Sequence, residues 1–151
     1  MALIFVDTGA FLALVSQSDN HHSKATDIYE MLMNEPSRLI TTNHVIDETC
    51  TWLMRNSSAG HKIAVEFAQS MLNNPNISFW NLADDPPDNT KFLIVSTPPE
   101  IERRALAIFS KYDTTGFSFT DCVSFAVMQK LSIRKAFTFD SHFDILGFQR
   151  M

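Results

Sequence analysis

Two kinds of apolar pattern alternate along this chain. Short continuous runs stop at a polar residue, and longer stretches repeat their apolar positions every three or four residues. The first run, Leu3-Ile4-Phe5-Val6, is too short for a helix and reads as a strand buried on both faces, as in a parallel sheet. It stops at Asp7-Thr8, and Gly9-Ala10 lead into the helical run Phe11-Leu12-Ala13-Leu14-Val15. Ser18-Asp19-Asn20-His21-His22 is a polar turn. The helix after it carries Ala25, Ile28, Tyr29, Leu32 and Met33 on one stripe. Pro36-Ser37 close that unit, and Arg38-Leu39-Ile40-Thr41 reads as a second strand. Thr41-Thr42-Asn43 are capping residues for a helix whose apolar face is Val45, Ile46, Trp52 and Leu53. Ser57-Ser58-Ala59-Gly60 break it. The next helix bears Ile63, Ala64, Phe67, Ala68, Met71 and Leu72 and stops at Asn73-Asn74-Pro75.

In the second half, Ile77–Leu82 and Lys91–Val95 read as strands on either side of a loop with strong turn chemistry, Asp84–Asn89. Their spacing suggests an antiparallel edge hairpin. Thr97-Pro98-Pro99-Glu100 opens a helix, with Thr97 as a cap and proline tolerated in the first turn. Its inner face is Ile101, Ala105, Leu106, Ile108 and Phe109. Arg103 and Arg104 point elsewhere, either to solvent or to phosphates. Ser118 fits an N-cap and Asp121 its third helical position, a variant of the capping box. The helix beyond is apolar on nearly every side (Cys122, Val123, Phe125, Ala126, Val127, Met128, Leu131), the pattern of a central buried helix. Ala136-Phe137-Thr138-Phe139 then repeats the opening device, an apolar strand that ends in an aspartate, Asp140. Phe143, Ile145, Leu146 and Phe148 complete the core. Strands that alternate with helices predict a three-layer α/β/α fold with a mainly parallel central sheet. At 151 residues the chain has room for one domain, spanning residues 1–151, and no linker or repeat divides it.

Composition changes this picture little. Hydrophobic residues make up 45%, ordinary for a globular protein. No apolar run approaches a membrane span of ~20 residues. The N-terminus lacks a basic region, and Asp7 interrupts its apolar segment, so no signal peptide is expected. Cys50 and Cys122 fall in helical patterns and read as core residues of a protein in the reducing cytoplasm. The net charge of −5 argues against a nucleic-acid partner. That argument weakens if acids bind metal: two divalent ions on four carboxylates would bring it to about −1.

The informative chemistry is acidic. In an open α/β sheet, ligands bind outside the carboxyl ends of the strands. Asp7 and Asp140 would both sit at that rim, although each can also serve as a helix cap. Asp121 shares a face with Phe125 and Met128. Burying it there costs several kcal/mol unless a cation pairs with it, and no lysine or arginine lies one turn away. Glu48 falls on the border of its helix's apolar face beside Val45 and Trp52, and Asp47 falls on the opposite border. Asp144 reads as an outside acid. His21 and His22 are metal-ligand types, but adjacent histidines in a polar turn read as solvated. Asp7, Glu48, Asp121 and Asp140 can therefore converge at one sheet edge. Two carboxylates ~5 Å apart repel by roughly 3 kcal/mol at an effective dielectric of ~20. Hard oxygen ligands favour Mg²⁺ or Mn²⁺ over Zn²⁺, and such ions suit phosphodiester hydrolysis. No Gly-rich phosphate loop, GxSxG or HExxH motif is present. A phosphatase with an aspartyl nucleophile would carry a second aspartate where Gly9 stands.

Four motifs now stand in order along the chain: Phe5-Val6-Asp7-Thr8, Val45-Ile46-Asp47-Glu48-Thr49, Phe117-Ser118-Phe119-Thr120-Asp121-Cys122 and Ala136-Phe137-Thr138-Phe139-Asp140. With them the chain resembles the PIN-domain ribonucleases, specifically the VapC-type toxins of toxin–antitoxin pairs. The resemblance covers nearly the whole chain. It implies a PIN-like sheet of about five parallel strands and Mg²⁺- or Mn²⁺-dependent endonucleolytic cleavage of RNA. It also implies a homodimer and an antitoxin protein that blocks the site. On this reading Asp7, Glu48, Asp121 and Asp140 bind the metal and carry the catalysis. Thr8, Ser118 and Thr120 hold those carboxylates, and Asn43 and His142 are lesser rim candidates. Arg134, Lys135, Lys130, Arg103 and Arg104 are the expected phosphate contacts. Two departures are visible. Gly9 stands where the family often has serine, and Ala83–Ser96 looks like an insertion that forms the edge hairpin. The competing readings are a catalytically silent PIN-fold module that binds RNA or protein, and a small-molecule phosphohydrolase.

Overall fold

A computed structural model describes residues 2–56 and 59–151. Six strands and seven helices follow in the order β1 (Leu3–Val6), α1 (Thr8–Val15), α2 (His22–Asn34), β2 (Arg38–Thr42), α3 (Asn43–Asn56), α4 (Gly60–Leu72), β3 (Ile77–Asn81), β4 (Phe92–Ser96), α5 (Pro99–Lys111), α6 (Phe119–Lys130), β5 (Lys135–Phe137), α7 (His142–Ile145) and β6 (Gln149–Arg150). They build one sheet in the order β3-β4-β2-β1-β5-β6, and every neighbouring pair is parallel. The three-layer α/β/α architecture expected from the alternation is present. The sheet has six strands where about five were expected. The sixth, β6, is two residues long and has no apolar run to announce it.

The edge hairpin is not formed. β3 and β4 pair in parallel, with Ile77 opposite Phe92 and Trp80 opposite Val95. Residues 82–91 are longer than the about two to five residues of a tight hairpin loop, and they carry the chain back along the sheet. Polar anchors hold this return: Trp80 Nε1 donates to the Asp84 carbonyl at 3.1 Å, and Arg38 donates to the carbonyls of Thr90 and Pro87. Lys91 Nζ donates to the carbonyls of Glu35 and Ser37. Ala83–Ser96 is therefore no edge insertion, because its second half is a strand between β2 and β3. Phe92, Leu93, Ile94 and Val95 are all buried, the continuous apolar run of an internal parallel strand.

The core surrounds α6, in which every residue from Asp121 to Met128 is buried, as its all-round apolar pattern predicts. Phe125 packs edge-on against Phe117 and Phe143 at centroid distances of 5.0 and 4.9 Å. On the α1 side, Phe11 meets Phe67 of α4 and Phe92 of β4. Several positions assigned to inner faces are exposed instead: Tyr29, Met33, Trp52, Leu72, Leu106, Phe109 and Ile145. Met33, Trp52, Leu72 and Leu106 lie at the margins of their helical stripes, where periodicity alone does not decide the side. Ser57 and Ser58 of the expected helix break lie outside the described residues. Among the described residues no helix is long and apolar enough to cross a membrane.

Gly60 starts α4 where it crosses the end of α3. A Cβ there would lie 2.4 Å from the Met54 carbonyl oxygen and 2.6 Å from that of Leu53. Backbone cannot yield as a flexible side chain can. Gly60→Ala should therefore destabilise the fold by about 1–3 kcal/mol, read as a lower midpoint in urea. An unchanged midpoint would mean that α3 and α4 pack less closely than described.

Candidate active site

The site forms where adjacent strands β1 and β5 end. From β1 the chain proceeds to β2 on one side, and from β5 to β6 on the other. That divergence opens a crevice at the carboxyl ends. Asp7 follows β1 directly, and its amide donates to the Phe137 carbonyl of β5 at 3.1 Å. The Asp7 side chain is 3% exposed. It does not cap α1, so the simple capping role considered for it is not what it does. Oδ2 accepts from Thr138 Oγ1 at 2.9 Å, while Oδ1 is buried without a hydrogen-bond partner.

Asp121 occupies the third position of α6 in a capping box. The Ser118 amide donates to Asp121 Oδ2, and the Asp121 amide donates to Ser118 Oγ, both at 3.0 Å. Asp140 Oδ1 accepts from the His142 amide at 2.9 Å. His142 Nδ1, itself buried and without a hydrogen-bond partner, lies 3.4 Å from Asp140 Oδ1 and 3.6 Å from Asp121 Oδ2. One ligand atom from each of Asp121, Asp140 and His142 falls within 4.8 Å of the others.

The acids feel one another. Burial, then the Asp121 charge, push the Asp7 carboxyl up from 3.8 to about 7, with Asp140 adding to the effect and the Thr8 amide and the Thr138 hydroxyl partly opposing it. Asp121 is also raised, chiefly by burial and further by Asp140 and Glu48, against the Ser118 amide and His142. The N-termini of α1 and α6 lie at these two aspartates and add favourable dipoles. An orphaned buried carboxylate oxygen, hard oxygen donors and one imidazole nitrogen make a set that fits a divalent cation.

The sequence-predicted residues divide. Asp7, Asp121 and Asp140 come together, with Glu48 close enough to raise Asp121. Ser118 holds Asp121 as expected. Thr8 does not hold an acid: its hydroxyl is buried with no partner, because the first turn of α1 turns it away. No hydrogen bond ties Thr120 to a carboxylate among the described residues; it shares a cavity with Glu48 instead. Thr138 does what was assigned to those two. It donates to Asp7 and accepts from the Asp140 amide at 3.0 Å. Its signal was a hydroxyl two residues before an aspartate at a strand exit.

Three of the expected phosphate contacts, Arg134, Lys135 and Lys130, are not brought to the rim. Lys135 opens β5 opposite Ile4, two registers before Phe137 meets Val6. With Arg134 it lines a cavity beside Ala2 and Met31, at the amino ends of the strands. Lys130 ends α6, about 13 Å along the axis from Asp121, and pairs with Glu100 at 3.5 Å. Arg103 and Arg104 are exposed on α5. Asn43 is used structurally, its Oδ1 accepting from the Thr97 amide. Thr97 does not cap α5 through its side chain, since Pro98 is the N-cap; its hydroxyl donates to Glu102 Oε1 at 2.8 Å. Asp144 lies outside, paired with Arg150 at 3.0 Å. His21 stacks on Phe139 at 4.3 Å, and His22 Nδ1 lies 2.7 Å from the Ala13 carbonyl.

This fold, with acids gathered at the carboxyl ends of a parallel sheet, has known counterparts. The PIN domain family model matches residues 4–149, and the chain belongs to that family. It is 31% identical over 146 residues to the 23S rRNA-specific endonuclease VapC20 of Mycobacterium tuberculosis, covering 97% of this chain and 95% of that protein. It is 30% identical over 142 residues to the VapC ribonuclease of Archaeoglobus fulgidus, covering 93% of this chain and 78% of that one. The crystal structure of the mycobacterial protein, described as a sarcin–ricin loop cleaving toxin, superposes with a TM-score of 0.77 at 31% identity, over 96% of this chain and 95% of that one.

A raised carboxyl pKa carries a sign for stability. Asp7 holds its proton more tightly when folded than when unfolded, so its contribution is fully present below about pH 4 and is lost as pH rises through about 7. Asp7→Asn removes that dependence. Without added metal, its thermal midpoint should exceed the parent's at pH 8 and converge on it near pH 4.5. A constant difference across that range would contradict the raised value.

Proposed function

We propose that this chain is a single-domain, metal-dependent endoribonuclease that hydrolyses RNA phosphodiester bonds, the toxin of a type II toxin–antitoxin pair. The observation that carries the reading is the buried Asp7 carboxylate, its Oδ1 without a partner, beside the charges of Asp121 and Asp140 at the sheet rim. A binding module has no use for such repulsion, which a hydrolytic metal site requires. The mycobacterial and archaeal relatives, named as an endonuclease and a ribonuclease, support it. We assign Mg²⁺ or Mn²⁺ as the cofactor, a homodimer as the assembly, a cognate antitoxin as the inhibitor and the cytoplasm as the place of action.

In this mechanism Asp7, Asp121 and Asp140 hold the ion, with Glu48 directly or through water, and His142 Nδ1 faces the same space. When bound, the ion supplies charge for the scissile phosphate and a more acidic water. Asp7 Oδ1, buried and without a hydrogen-bond partner, is the free carboxylate oxygen that would face the ion, and one acid of the set would orient or deprotonate the attacking water. Thr138 fixes Asp7 and, through its amide contact, the turn that bears Asp140. Ser118 fixes Asp121. These hydrogen bonds set the direction of the carboxylate lone pairs.

Asp7→Asn and Asp121→Asn should each lower Mg²⁺-dependent cleavage of ribosomal RNA by more than about 100-fold, and Thr138→Val by about 10- to 100-fold, with the circular dichroism spectrum unchanged. A hairpin carrying the sarcin–ricin loop is the first defined substrate to test. Undiminished cleavage by both aspartate variants would overturn the assignment.

A further inference from the structure

The acidic crevice needs a way to seat RNA, and Arg134, Lys135 and Lys130, expected to do so, lie elsewhere. One face of α3 supplies a different answer. Glu48, Trp52 and Arg55 are spaced i, i+4 and i+7, so they form a single stripe. Trp52 sits about 6 Å, and Arg55 about 10 Å, further along the helix axis than Glu48. The stripe lines a cavity of about 360 Å³, closed in part by Thr51 and by Thr120 of the loop-proximal turn of α6. The cavity therefore shares Glu48 with the acidic site. Trp52 is 44% exposed, although its helical pattern assigned it to the core. Arg55 is the one lysine or arginine lining the cavity, and it makes no ion pair with a described residue.

We propose that the Trp52–Arg55 stripe is a nucleotide subsite, in which an unstacked base lies on the Trp52 indole and the neighbouring phosphate meets the Arg55 guanidinium. It rests on the nuclease reading above and names how the substrate of that site is held. The chemistry is selective for this occupant. An exposed aromatic face beside a planar cation and hydroxyl groups is the equipment for single-stranded or looped RNA. Asp47 also lines the cavity and repels a phosphate on its side, so the phosphate falls to the Arg55 end and the base to the indole. A base stacked there has its backbone one turn of helix from Glu48. This places the adjoining phosphodiester within reach of the acids.

The test uses the Asp7→Asn protein, which binds without cutting, and a random-sequence single-stranded RNA of about 12 nucleotides. Trp80 is buried, so quenching of the emission by RNA reports Trp52. RNA should quench the parent, and Trp52→Phe should abolish the quench while weakening binding less than threefold (~). Trp52→Ala should weaken binding about tenfold. Arg55→Gln should reduce the slope of log affinity against log salt by about one. Thermal melts confirm folding, and the two milder variants decide the matter if Trp52→Ala does not fold. Absent quenching, or unchanged affinity and salt slope in the variants, would overturn the subsite. So would variants that alter only self-association or capture of a protein partner. Cleavage that depends on Asp7 but shows no Trp52 effect removes the subsite alone. Quenching without acid-dependent cleavage removes the nuclease reading and leaves an RNA-binding surface.

Discussion

Like charges drawn into a buried space are what this molecule has to accommodate. Asp7 and Asp121 are nearly inaccessible, and burial together with mutual repulsion raises both carboxyl groups. Local preference explains only part of this: Ser118 and Asp121 form a capping box, but nothing local requires the two acids to meet. Asp7 caps nothing through its side chain, and Asp121 remains on the face of a helix that is otherwise apolar. The parallel topology forces the encounter. With β1 and β5 adjacent and parallel, Asp7 directly after one and Asp140 three residues after the other share one rim. α6 then brings a third acid over the same crevice.

Several devices make the arrangement tolerable without removing its cost. The capping box spends one oxygen of Asp121 on the Ser118 amide. Thr138 donates to Asp7 while receiving the Asp140 amide, so one hydroxyl orders two acids. Helix N-termini point positive ends at Asp7 and Asp121. What is left over is the Asp7 Oδ1 lone pair and the His142 Nδ1, both buried and both without a hydrogen bond. Unmet polar atoms of that kind cost about 1–3 kcal/mol each, and at a convergent acid site they leave an obvious role for a cation.

Much of this was readable beforehand, for a physical reason. Strands buried on both faces and helices buried all round leave strong apolar runs, so β1, β2, β4 and α6 were visible as such. The acids at their ends stood out because apolar runs rarely stop at aspartate without cause. Less was readable where the outcome depends on tertiary placement. A turn-rich loop between β3 and β4 looks alike whether the chain reverses or returns in parallel; only anchors far away in sequence, at Arg38 and Lys91, decide it. The sign of a residue at a stripe margin, as at Trp52, is likewise set by what packs against it. Thr8 and Thr138 flank equivalent aspartates, yet only the second reaches one, because a helix begins at Thr8 while Thr138 still follows the line of β5. Basic residues were the least legible, since Lys135 and Lys130 are close to site residues in sequence but at the far ends of their elements.

Asp7 and Asp121 both hold their protons above the ordinary carboxylate range, and a divalent cation would relieve them. Carboxyl carbon NMR titrations of both aspartates, with and without Mg²⁺, address it directly. Metal-free Asp7 should titrate near 7 and Asp121 above the usual carboxylate range, and Mg²⁺ should drive both downward. Two ordinary aspartate titrations, indifferent to Mg²⁺, would contradict it.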